Sequence, residues 1–151
     1  MISKSKANEL LNSLFGKTSV TQATTIYLGL SETEPNADTG AVGGEPAVSS
    51  YKRLLVGGSN ATTVDKNAFK TNANEGKISN SEEIQMPTAK EPYGKTMNYF
   101  FLSTSGRTGD QAFLWGNLKN EDGTQGIVIG EKTVPVFYAG MLEASIDVPL
   151  S

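Results

Sequence analysis

The sequence contains neither cysteine nor histidine, and these two absences remove most of the catalytic repertoire. Without thiols there is no disulfide framework, no thiolate metal site and no sulfur nucleophile. Without imidazole the commonest general base and the commonest metal ligand are gone, and with them any Ser-His-Asp triad or histidine-held zinc. Long apolar runs are also missing. Nothing approaches the ~18–20 consecutive apolar residues of a membrane helix, and residues 1–16 have no continuous apolar stretch of the kind a secretory signal requires. Charge of one sign is not in excess. Thirteen basic residues face sixteen acidic ones, a net charge of −3, so the basic footprint of a nucleic-acid binder is absent. The expectation is a soluble, non-enzymatic protein with no cofactor, no bound metal, no nucleic-acid partner and no membrane partner.

Carboxylates remain as the one catalytic resource. Glu82-Glu83 and Glu121-Asp122 are each adjacent in sequence, so on a strand the two side chains of a pair point to opposite faces. Glycoside hydrolysis needs two carboxylates facing one bond. Both pairs lie in turn-like surroundings, where solvated charge is the default.

What the chain has in plenty is glycine, serine, threonine and asparagine, a mix that suits short strands joined by polar turns. One segment carries a helical period. Ala7, Leu10, Leu11, Leu14 and Phe15 recur at i, i+3, i+4, i+7 and i+8, which places them on one face. Ser5 is the expected N-cap and Gly16 the expected stop. Such a helix is too short to be stable alone, so its stripe must dock on its own sheet or on a partner.

After Gly16 the period changes to two. Ile26, Leu28 and Leu30 alternate along one strand, and Tyr51–Val56, 77–79 and 84–86 read as further short strands. In 95–103, Met97, Tyr99 and Phe101 share one face, with Asn98, Phe100 and Leu102 on the other. A strand apolar on both sides is either central or meets a neighbouring subunit. In 111–118, Trp115 shares a face with Phe113, opposite Ala112, Leu114 and Leu118. Two more strands are expected at 126–129 and 133–138. Leu142, Ala144, Ile146 and Val148 alternate with Glu143, Ser145 and Asp147 as a last strand. With about eight strands, the expected fold is mainly β: a single-domain antiparallel sandwich or jelly-roll-like barrel over residues 24–151, preceded by one short N-terminal helix within 1–16.

Residues 31–50 form a long loop with four carboxylates and no basic residue, a length usually functional or mobile. Glu32, Glu34, Asn36 and Asp38 alternate in the way calcium ligands do. Pro35 interrupts the pattern and no bidentate Glu follows at the right distance, so a polar surface loop is expected. The glycines and Lys132 of GIVIGEK lack phosphate-loop spacing, and Asn60-Ala61-Thr62 matches a glycosylation sequon by chance. Trp115 is expected to fill a core or subunit interface, with sugar stacking as the alternative.

Several stretches resemble, in order, a family of small phage proteins often labelled tail fibre or virion structural proteins. Ile26-Tyr27-Leu28-Gly29-Leu30-Ser31-Glu32-Thr33-Glu34-Pro35 is similar to its Y-V-G-L-S-x-T-x-P opening. Met86-Pro87-Thr88-Ala89, Tyr99-Phe100 and Leu114-Trp115-Gly116-Asn117-Leu118 resemble F-P-T-A … H-F … L-A-W-G-x-L. Val136-Phe137, Ala139-Gly140 and Ile146-Asp147 resemble V-S-F-x-A-G-x-L-x-I-T-L-D, and Asn8-Glu9-Leu10-Leu11-Asn12 echoes N-A-L-L-D. The chain departs from the pattern at Ser49-Ser50-Tyr51-Lys52-Arg53, where the family has Gly-Gly-x-Tyr-x-Arg. It departs again at Glu91-Pro92-Tyr93-Gly94 for G-x-W-G, and at Tyr99 for a histidine.

The resemblance implies a virion structural protein of tail-fibre, head-fibre or decoration type, assembled in the host bacterial cytoplasm. It implies no enzymatic activity. The expected partners are further copies of the chain, with a trimer favoured, and other virion proteins. The alternative is a β-sandwich carbohydrate-binding module that recognises host surface glycans. The expected assembly interface comprises Leu10, Leu11, Leu14 and Phe15 of the helix and Tyr99 and Phe101 of the two-sided strand.

Overall fold

The computed structural model describes residues 1–61, 67–120 and 122–146, and among these it has ten strands and one helix. The helix α1 is Lys4–Leu14. The strands are β1 Ile26–Ser31, β2 Leu54–Gly57, β3 Lys77–Ser79, β4 Ile84–Gln85, β5 Thr96–Met97, β6 Tyr99–Ser103, β7 Ala112–Asn117, β8 Ile127–Val128, β9 Val136–Phe137 and β10 Glu143–Ser145. Four strands form one antiparallel sheet in the order β2-β1-β6-β7. The other six pair off as the ribbons β10–β3, β4–β9 and β5–β8. The fold is therefore mainly β and antiparallel with one short N-terminal helix, and no closed barrel forms among the described residues.

The four-stranded sheet is buried on both faces. Cross-strand neighbours share a face, so Leu28 opposite Leu102 and Leu30 opposite Phe100 stand on one side, and Gly29 opposite Phe101 on the other. The first side packs with the ribbons into the larger core, where Leu28, Leu30 and Leu102 meet Met86, Met97, Leu118, Phe137 and Leu142. The second side carries a smaller core of Phe101, Trp115 and Ala112, closed by Val42 from the 32–50 loop.

Two local features alter the alternation expected from the sequence. The 95–103 segment breaks at Asn98, which donates its N–H to Ser31 O (3.0 Å) and its side-chain amide to Glu32 O (2.8 Å). The chain changes partner there, from β8 to β1, and Met97 enters the larger core while Phe101 enters the smaller one. In β7 the register shifts, with Leu102 opposite Leu114 but Ser103 opposite Ala112. Phe113 is the extra residue of this bulge. Ala112 therefore joins Trp115 and Phe101, while Phe113 packs against the larger core, the reverse of strict alternation.

Boundaries shift as well. The segment at Tyr51 becomes strand only from Leu54, because the side chains of Tyr51 and Arg53 are engaged in the buried network described below. The last strand ends at Ser145 with Ile146 exposed, and Asp147 and Val148 lie outside the described residues. Thr62 of the sequon and Glu121 of the second acidic pair are also outside them. Glu82 pairs with Lys70 at 2.9 Å and Glu83 accepts from Gln85, so the first acidic pair diverges.

Candidate assembly surface

The N-terminal residues are tied to the edge of the central sheet. Ile2 bridges Leu114, the Ser3 N–H donates to Phe113 O (3.1 Å), and the Met1 amino group donates to Trp115 O (2.8 Å). An added rung on the open side of β7 shields part of an edge that would otherwise invite strand pairing. The same tether moves the helix start to Ser3, two residues before the expected cap. The Ser3 hydroxyl accepts from the Lys6 N–H (3.2 Å). The Lys4 and Ser5 amides donate to Ala37 O and Asp38 O of the loop, so orphan donors of the first turn find partners outside the helix. Lys4 also pairs with Asp38 at 2.6 Å, and this hydrogen bond raises the ammonium pKa above its ordinary value.

At the far end Gly16 adopts φ +70°, and the Lys17 N–H reaches back to Asn12 O (2.7 Å). This is the left-handed stop that glycine favours. Between these ends the apolar stripe is uncovered. No residue of α1 is buried, Leu10 is half-buried, and Leu11, Leu14 and Phe15 are 53%, 80% and 76% exposed. The helix is anchored at its N-terminus and presents Leu11, Leu14 and Phe15 outward.

Tyr99 and Phe101 lie elsewhere. Phe101 is fully enclosed by its own chain. Its ring fills the space a side chain on Gly29 would need, and the Arg53 guanidinium sits 4.7 Å from the ring centre. Tyr99 is half-buried beside it. The second apolar face of β6 thus has an intramolecular partner in the 32–50 loop, and Phe101 is withdrawn from any subunit contact. Of the six residues expected to form one interface, four share the exposed helix and two belong to the small core.

The loop is locked over this core by groups that sequence reasoning passed over. Glu45 and Arg53, both buried, form a two-point ion pair with Nε–Oε1 at 2.8 Å and Nη2–Oε2 at 3.0 Å. Arg53 also donates to Ser105 O and Asp110 O in the β6–β7 turn, and Glu45 accepts from the Gly109 N–H (2.7 Å) and the Tyr51 hydroxyl (2.8 Å). The Tyr51 oxygen in turn accepts from the Leu30 N–H. Burial first, and the Glu45 charge second, push the Tyr51 phenol far above its ordinary pKa. The only signal in the sequence was Tyr51-Lys52-Arg53, aligned with the Tyr-x-Arg of the resemblance; Glu45 looked like one of four loop acids.

The remaining loop acids are dispersed. Glu34 accepts from Trp115 Nε1 (3.2 Å), Glu32 stands 3.7 Å from Lys95, and Asp38 pairs with Lys4. Asn36 caps its own turn by accepting from Asp38 and Thr39. These alternate positions converge on no common point. Trp115, 1% exposed, fills the core and offers no face for a sugar.

On the opposite side of the sheet the larger core is open along two adjoining clefts that share Phe100 and Leu142. One, about 400 Å³, is walled by Leu30, Leu118, Ile127, Phe137, Val134 and Met141. The other, about 140 Å³ and almost wholly apolar, is walled by Ile26, Phe69, Ile78, Leu102, Phe113 and Leu114. A further hollow, about 480 Å³, lies between β2 and β4 and is partly lined by Glu82, Glu83 and Gln85.

A family model described as "Podophage GP4 fiber I protein gp80" matches residues 1–142, a stretch that contains α1, both cores and the clefts. No curated protein matches the chain.

Proposed function

Given that the chain belongs to the podophage GP4 fiber I protein gp80 family, and is therefore a structural fibre protein of a phage virion, we propose that it acts through self-association and docking to other virion proteins, without catalysis. It associates around a rotation axis, as a trimer, and does so in the host cytoplasm before joining the particle. One observation carries this reading: α1 is pinned at one end and holds Leu11, Leu14 and Phe15 in water. Burying a leucine contributes about 1.5–3 kcal/mol, so an outward stripe of this kind costs stability and solubility unless a partner covers it.

Multi-angle light scattering on the purified chain at tens of micromolar tests the proposal. Three chain masses are expected for the wild type, falling to one when Leu11 and Leu14 are both replaced by Glu. Both side chains are exposed in their own chain, so the substitutions leave the fold intact, and a near-ultraviolet circular dichroism spectrum matching wild type is the control, since the thermal midpoint itself falls when assembly is lost. A wild-type monomer in that range excludes self-assembly.

A further inference from the structure

We infer that α1 is a docking-dependent helix, folded only while its first turn is seated on the Asn36–Gly40 turn of the loop, which makes Asn36 and Gly40 positioning residues for the assembly surface. The inference rests on the reading above for what the stripe of α1 is used for; the coupling itself is a property of one chain. Its basis is how little the helix has of its own. Eleven residues fall short of the roughly 12–15 that even a marginal helix needs in water. Ser5, Asn8, Asn12 and Ser13 favour caps and turns over helix interiors. The first turn holds Lys4 and Lys6 and no acid, and the last turn holds no base, so charge opposes the helix dipole at one end and does nothing for it at the other. No residue of α1 is buried, so tertiary packing, the usual source of helix stability, supplies little.

What remains is the docking of its start. The amide donors of Ser3 to Lys6 have no acceptor within the helix ladder. Ser3 donates to Phe113 O, Lys6 to the Ser3 hydroxyl, and Lys4 and Ser5 to Ala37 O (2.9 Å) and Asp38 O (3.2 Å). Asn36 builds the turn that presents these two loop carbonyls. Its side-chain oxygen accepts from the Asp38 N–H (3.0 Å), the Thr39 N–H (3.0 Å) and the Thr39 hydroxyl (3.2 Å), and its carbonyl accepts from the Gly40 N–H (2.7 Å). Gly40 fastens the turn to the start of β7. At φ +81° its carbonyl accepts from the Ala112 N–H (2.8 Å), and a Cβ there would collide with Ala112 O. The Lys4–Asp38 ion pair is exposed on both sides and contributes little alone.

The helix is therefore an element with two arrangements, docked and folded or released and unfolded, and the turn biases the choice between them. Leu11, Leu14 and Phe15 share one face only in the first arrangement, because their grouping is a product of the helical period. The assembly surface exists while the Asn36–Gly40 turn, the start of β7 and the first turn of α1 stay joined. Linkage runs in both directions, so a partner that covers the stripe also steadies the turn.

Residue-resolved amide hydrogen exchange tests the coupling on full-length chains carrying L11E/L14E, a parent in which assembly adds no protection. N36A removes the acceptor that shapes the turn, G40A drives a methyl against Ala112 O, and N36D keeps an acceptor oxygen in place. In N36A and G40A the amides of Lys4, Ser5 and Ala7 to Phe15 should lose protection together, by about tenfold or more, the effect of losing two ordinary hydrogen bonds. Leu28, Leu30 and Leu102 should keep theirs, and N36D should exchange like the parent. If Lys4 and Ser5 lose protection while Ala7 to Phe15 keep it, the helix stands without docking and the inference is overturned. Unchanged exchange throughout α1 in both variants overturns it too, as does an N36D chain that exchanges like N36A. Loss that spreads to Leu28, Leu30 and Leu102 shows that the turn holds the whole fold and not the helix, which is equally fatal. Light scattering on the wild type reads self-association separately: a monomer there removes the use assigned to the stripe and leaves the exchange result standing.

Discussion

Arg53 lies with its guanidinium against the Glu45 carboxylate and its central carbon over the Phe101 ring, 4.7 Å from the ring centre, so one side chain closes an ion pair and caps a core aromatic together. Through its other N–H groups it holds Ser105 O and Asp110 O. The network joins the 32–50 loop, the start of β2 and the β6–β7 turn, and keeps the loop seated over Phe101 and Trp115.

Replacing Glu45 by Ala should cost about 3–5 kcal/mol in a denaturant titration, because it leaves a buried guanidinium without its counter-ion. The double replacement E45L/R53M removes both charges and should recover part of that loss. Recovery stays incomplete because the Ser105 and Asp110 carbonyls lose their donor. Equal stability of the single and double variants would show that the charge pair is not what secures the loop.

Gly29→Ala should destabilise by about 1–3 kcal/mol through overpacking. The added methyl would occupy the space of the Phe101 ring, which is enclosed and has no free direction to move. The paired variant G29A/F101L should regain part of the difference, and a thermal-shift series on the three chains measures it.

The Tyr51 phenol has its folded-state pKa raised above the unfolded value of about 10. Its contribution is therefore fully present below pH 10 and is lost as pH rises above it, since the unfolded chain releases the proton first. Stability should fall with increasing pH from 10 upward, and the slope should be shallower in Tyr51→Phe. Identical slopes in the two proteins would exclude Tyr51 as the titrating group.

Calcium at millimolar concentration should leave the melting temperature unchanged. A bound ion would raise stability by RT ln(1 + [L]/Kd), but Glu32, Glu34 and Asp38 are engaged with Lys95, Trp115 and Lys4 respectively. A rise of several degrees that vanishes in E32Q/D38N would overturn this.

Helix, strand and turn chemistry were legible in the sequence wherever the relevant period is local. The stripe from Ala7 to Phe15 and the alternation of Ile26, Leu28 and Leu30 follow from periods of about 3.6 and 2 residues, which need no partner to be recognised. The absence of histidine and cysteine likewise bounded the chemistry before any fold was known. What lay over each face was not legible. Phe101 and the leucines of α1 look equally apolar in sequence, yet a loop sixty residues upstream covers the first, and no described part of the chain covers the second. Burial depends on long-range pairing, and period alone carries no information about it. The break at Asn98 and the bulge at Phe113 reversed faces because a change of hydrogen-bond partner, or one extra residue, flips everything beyond it. Glu45 and Arg53 became a pair only when the loop folded onto the β6–β7 turn, where a third set of groups, the Gly109 amide and the Ser105 and Asp110 carbonyls, could satisfy both charges out of water.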